Sequence, residues 1–201
     1  STNETPSANV DSKFSLFNIV KLSLFYVIIL TTTILLFIPF YTPEIIGNYS
    51  SSVSLWFKNF EFNASFYYIF REIGYLFSGY NEIAFIGKIT VVLSVLFLLY
   101  VTFFRRNKTF VQLITVMLFG LCFYYFTATT VHPWYLATPL ILCVFTKYKF
   151  PIIWTLAIIL TYQAYANNPW KENLWFVFIE YLIIFSFLIY EILYQLKLKK
   201  L

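Results

Sequence analysis

The run IAFIGKITVVLSVLFLLYVTFF, Ile83–Phe104, decides the fold class. It carries a single charge, Lys88, near its start, and it stops at Arg105-Arg106-Asn107-Lys108. At 1.5 Å rise per residue, a helix of that length covers the ~30 Å hydrocarbon thickness of a bilayer. The rest of the chain is built of the same material. Of 201 residues, 60% are hydrophobic and 11% charged, and mean hydropathy is +0.75. Soluble domains carry about 25% charged residues, so the bilayer is the expected solvent.

Working outward, similar runs recur at about 16–40, 110–128, 134–146, 151–166 and 174–196, after a polar tail at 1–15. The expected fold is all-α: a polytopic transmembrane bundle of about six spans forming one domain, 16–201. The fourth run is short, since Trp134–Phe145 gives only about 18 Å as helix. The one long connection, 41–82, opens with Thr42-Pro43-Glu44 and turns aromatic. In it Ile69, Phe70, Ile73, Leu76 and Phe77 recur at helical spacing, with Arg71 and Glu72 off that stripe. One or two helices lying in the membrane interface are expected there.

The net charge of +5 is distributed as topology requires rather than as nucleic acid would. With a cytoplasmic amino-terminal tail and six crossings, ten basic residues fall inside: Lys13, Lys21, Arg105, Arg106, Lys108, Lys147, Lys149, Lys197, Lys199 and Lys200. Lys58, Arg71, Lys88 and Lys171 fall outside. This obeys the positive-inside rule and puts both termini in the cytoplasm. Cys122 and Cys143 lie inside apolar runs with no metal-ligand spacing, so neither a disulfide, a metal nor a cofactor is expected. The single aspartate, Asp11, lies on the inner tail, so outward carboxylate chemistry by this chain must use glutamate.

On the outer side the chain presents Thr129-Thr130-Val131-His132-Pro133-Trp134-Tyr135. Pro133 prevents a helix from running through the only histidine, and Trp134 and Tyr135 favour the membrane–water boundary. The short run that follows means that either its lower end is dented or this corner dips below the outer surface, where non-helical backbone requires protein or a wet cavity. Arg71 with Glu72, and Lys58 with Glu61, are candidate headgroup-binding pairs or solvated charges. Glu180, about two turns into the sixth run, is an intramembrane carboxylate and so a functional candidate, with Lys171 or Lys88 as partner. Asn48-Tyr49-Ser50 and Asn63-Ala64-Ser65 match glycosylation tripeptides too short to carry weight.

Thr130–Leu136, opening a short span that ends Leu140-Ile141-Leu142, resembles the carboxyl-terminal half of bacterial glycosyltransferase-C mannosyltransferases. Phe60–Tyr68, before Arg71, is similar to the outer loop of such proteins. The resemblance covers about Val53 to Glu180. It implies transfer of a sugar, mannose, from a polyprenyl-phosphate donor to an acceptor on the outer face of the bacterial inner membrane. The family's carboxylate base, in a first outer loop near the amino terminus, is not recognisable here. The expectation is therefore that a missing amino-terminal half of the protein supplies it, and no catalytic residue is assigned. The substrate-binding set implied is Arg71, then Lys58, for the phosphate, His132 for phosphate or a sugar hydroxyl, Trp134 and Tyr135 as pocket walls, with Glu72 and Asn63 completing it. The rival readings are a transporter or lipid-linked glycan flippase, with Glu180, Lys88 and His132 as a relay remote from the loop, and a non-catalytic scaffold with no cavity at the corner.

Overall fold

The computed structural model describes residues 16–105, 107–167 and 171–198, and side chains for all of these except 16–17 and 56–58. The chain is a helical membrane bundle of two compact units, 1–50 and 51–201. In the first, α1 (Leu16–Phe37) runs into a 3-10 turn, Ile38–Phe40, where Pro39 fits an opening position that needs no N–H. The stretch Asn18–Phe40 has a mean hydropathy of 2.3. Its Thr33 hydroxyl is satisfied inside the helix, donating to the Ile29 carbonyl at 2.8 Å.

The connection 41–82 contains two helices, α2 (Ile45–Asn59) and α3 (Phe66–Ser78). The apolar stripe of α3 is exposed, with Leu76 and Phe77 84% and 87% accessible, while Tyr67 on the other side is fully buried. A greasy face left uncovered by protein is what an interfacial helix offers to lipid. Gly79 ends α3 in the left-handed region, φ +75°, where a Cβ would be strained.

Three long apolar helices cross the second unit: α4 (Ile83–Phe103), α5 (Phe110–Thr127) and α8 (Leu174–Leu198). With α1, four helices among the described residues are long and apolar enough to span. Thr109 and Gln112 close a capping box at the start of α5. α4 packs on α5 closely enough that a Cβ on Gly120 would meet Leu98 at 2.7 Å, and Phe97 stacks on Phe123 at 4.4 Å. The core around α5 contains Leu118, Leu136, Phe150, Trp154 and Ile184, all 0–1% exposed.

The fourth and fifth expected spans take shorter forms. A 3-10 turn, Pro133–Leu136, leads into α6 (Ala137–Val144), together only about 20 Å long. α7 (Phe150–Ala157) then tightens into a 3-10 stretch, Ile158–Ala166. At about 2.0 Å per residue that stretch lengthens the pair to about 30 Å, so this short run still matches the hydrocarbon thickness.

Inward positions on α8 recur at Val177, Glu180, Tyr181, Ile184 and Glu191, a helix stripe that puts two carboxylates inside and apolar residues outside. Glu191 accepts from the backbone N–H groups of Lys149 (2.7 Å) and Phe150 (2.8 Å), so it caps α7 from a neighbouring helix. Lys149 Nζ donates to the Cys143 and Thr146 carbonyls at 2.9 and 3.0 Å, closing the end of α6. This lysine, expected as a topology anchor, also serves as a helix cap. Glu191→Ala leaves two N–H donors without their acceptor and is expected to cost about 2–3 kcal/mol, read as a lowered thermal midpoint in detergent.

Candidate functional site

The site forms where the loop before α3 meets the corner after α5. Pro133 keeps the corner extended, with His132 at φ −82°, ψ 150°. It pairs with the loop as one parallel bridge, Phe62 with Thr130. Phe62 N donates to Thr129 O (3.0 Å), Val131 N donates to Phe62 O (2.8 Å), and Thr130 Oγ1 donates to Phe60 O (3.1 Å).

These contacts bring His132 and Arg71 onto one cavity of about 520 Å³, lined also by Phe60, Glu61, Phe62, Tyr68, Ala164, Tyr165, Lys171, Glu172 and Leu174. His132 is 7% exposed. Its ring stacks with Trp134 (4.4 Å, 8°) and Phe62 (5.0 Å, 27°), and Nδ1 lies 3.2 Å from the Tyr165 hydroxyl. Burial lowers its pKa, so the ring is neutral at pH 7.

Arg71 is held on both sides. Nη1 pairs with Glu61 at 2.5 Å, while Nη2 (2.8 Å) and Nε (3.1 Å) fork onto the more exposed Glu72, and the guanidinium carbon lies 4.6 Å from the Tyr68 ring centre. Glu61 also meets the Tyr67 hydroxyl at 2.7 Å and Asn81 Nδ2 at 3.1 Å. Glu172 accepts from Asn63 N (2.7 Å) and from the Tyr68 hydroxyl, and burial raises its pKa. The cavity therefore sets Glu61 and Glu172 against Arg71 and Lys171, with aromatic rings between them.

The other expected site residues lie elsewhere. Tyr135 is edge-on to His132 at 5.4 Å and lines a separate cavity of about 340 Å³ with Tyr124, Thr129 and Thr130. Trp134 is 60% exposed and backs the His132 ring. The Lys58 side chain lies outside the described residues. Asn63 is 0% exposed, and its polar groups face protein: N to Glu172, Nδ2 to Glu180 Oε1 (3.1 Å), and O to the Tyr181 hydroxyl (2.7 Å). It is a strut rather than a ligand-facing residue, and this also removes its tripeptide from reach of modification. Glu180 pairs with Asn63 and with Trp154 Nε1 (3.1 Å), in place of either expected lysine. It is buried and tied to the loop, not remote from it.

Glu172, Tyr68 and Tyr165 line the cavity without having been singled out from sequence. Shared sidedness was the available signal, since the Asn167–Asn173 connection and the corner fall on the same side by parity. Among the described residues no three His, Cys, Asp or Glu side chains gather as metal ligands.

A second hollow, of about 470 Å³, runs between α3 and α8 from Arg71 and Glu72 to Ile189, and its walls are mostly apolar. Tyr68, Arg71 and Leu174 line both hollows. No protein-family model, curated protein or solved structure matches this chain.

Proposed function

We propose that this chain is the membrane part of a glycosyltransferase, and that it holds a polyprenyl-phosphate-linked sugar, mannose by the resemblance, at the outer face of the bacterial inner membrane. The observation that carries the reading is the shared wall of Tyr68, Arg71 and Leu174. A polar hollow and an apolar groove meeting at one guanidinium suit an amphiphile whose charge sits between a hydroxyl-rich head and a hydrocarbon tail. Glu61, Glu172 and Tyr165 offer hydroxyl partners, and the aromatic rings offer flat faces for a sugar. The Nε/Nη2 fork of Arg71, which holds Glu72, is the geometry that takes a phosphate bidentately. The phosphate displaces Glu72, the more exposed carboxylate, while Glu61 keeps the arginine in place. The base that activates the acceptor remains with the amino-terminal half that the resemblance implies.

Arg71→Gln is expected to weaken binding of a polyprenyl-phosphate hexose in nanodiscs by about ten- to a hundredfold, the value of one or two charge-assisted hydrogen bonds. Glu72→Gln leaves affinity equal or raises it. The reading fails if the wild-type chain binds the phosphorylated donor no better than the free isoprenol.

A further inference from the structure

Two buried polar atoms near the cavity have no hydrogen-bond partner: Asn63 Oδ1 and Glu180 Oε2. They belong to side chains that already touch, since Asn63 Nδ2 donates to Glu180 Oε1. That same Oε1 also accepts from Trp154 Nε1, so one oxygen of the carboxyl is doubly bonded and the other is bare. Glu180 is 0% exposed on a helix long and apolar enough to span. Among the described residues the ion pairs are those of Arg71 with Glu61 and Glu72, and no cation pairs with Glu180. An unpaired carboxylate in such surroundings is strongly disfavoured.

A single proton resolves both orphans. We propose that Glu180 is a neutral carboxylic acid whose Oε2–H donates to Asn63 Oδ1, closing a two-hydrogen-bond acid–amide ring. Turning the Asn63 amide over does not remove the need for the proton, because Oδ1 would then face Oε1, again two acceptors in contact. The titratable groups facing Glu180 are Glu172 and its neighbour Tyr181, neither of them cationic, and the Glu172 carboxylate further opposes a second negative charge.

The ring gives Glu180 a positioning role. Asn63 sits in the left-handed region, φ 46°, a conformation asparagine tolerates better than most residues but not one that holds itself. Its side chain is tied to α8 by Glu180, its carbonyl by Tyr181. So fixed, its N–H holds the Glu172 carboxylate at the cavity wall. Glu180 thus acts on the cavity through Asn63, whatever ligand the cavity takes.

Glu180→Gln tests this, because glutamine can accept at one atom and donate at the other, copying the neutral ring without a proton to lose. Three readouts apply to the whole chain in detergent. Infrared difference spectra at pH 7 should contain a protonated-carboxyl carbonyl band that Glu180→Gln removes. Glu180→Gln should fold like wild type where Glu180→Ala does not.

The pH dependence is distinctive. The folded state keeps a proton that the unfolded chain releases above about pH 4.3. The wild type therefore loses a factor of ten in its folding constant per pH unit relative to Glu180→Gln until the folded acid ionises. The thermal midpoint of Glu180→Gln should rise relative to wild type between pH 5 and 7. A missing infrared difference, a midpoint difference that does not change with pH, or a Gln variant as damaged as the Ala variant would each overturn the proposal.

Discussion

Trp154→Ala is expected to destabilise the second unit by about 3–5 kcal/mol, the range for removing a fully buried large aromatic. In a chain of this size that lowers the thermal midpoint by on the order of 10 °C. Trp154 is 0% exposed and stacks with Phe126 at 4.6 Å and 13°, with Tyr181 edge-on at 6.1 Å. Three effects combine: lost area, an unfilled cavity among α5, α7 and α8, and loss of the Nε1–H donor to Glu180. Trp154→Phe separates them, since it keeps most of the packing and drops only the donor. A drop of about 1–2 kcal/mol is expected for it. Equal losses for Phe and Ala would mean that the Glu180 contact, not the packing, dominates, and thermal unfolding in detergent distinguishes the two.

Such effects separate what could be read in the sequence from what could not. The bundle was legible because a span is a local property. Composition and run length over Ile83–Phe103 suffice to place α4, and the observed ends of α4, α5 and α8 fall within two residues of the expected ones. The corner was legible because Pro133 cannot continue a helix. The bridge from Phe62 to Thr130 was not, because a single pairing across so many residues leaves no period to detect. Glu180 was recognised as anomalous, yet its partners were misassigned. Charge complementarity suggests a lysine, whereas a dry interior satisfies the acid with an amide and an indole. The 3-10 stretch in the fifth run leaves no mark in hydrophobic run length, and it adds reach that a residue count in α-helical units omits. The proposed sidedness of the termini and of the corner survives either arrangement of the two short segments, while that of Lys147 and Lys149 requires both segments to cross. Whether Pro133–Val144 and Phe150–Ala166 both cross or fold back together, the number of crossings stays even.

The largest functional effect is expected at His132. On the proposed reading, His132→Ala lowers sugar transfer by the complete protein at least ~100-fold while membrane insertion is unchanged. The ring is where three elements meet: the loop through Phe62, the corner through Trp134, and the 3-10 stretch through Tyr165. Removing it leaves a gap in the cavity wall and takes away the ring stacking that braces the loop against the corner beside their backbone bridge. His132→Phe keeps the stack and discards the nitrogens. If the phenylalanine variant transfers sugar at the wild-type rate, His132 only packs, and the assignment of a phosphate or hydroxyl contact to it fails. If it is as inactive as alanine, the nitrogens act on substrate. The pH profile then carries a matching mark. Burial lowers the imidazole pKa below its ordinary 6.5, so the neutral, hydrogen-bond-accepting ring persists to lower pH than usual and is lost only as pH falls through that lowered value. The wild-type rate should fall on that acid limb. A rate with no acid limb anywhere below pH 6.5, down to the pH at which the protein unfolds, would show that the protonation state of His132 has no part in holding the sugar.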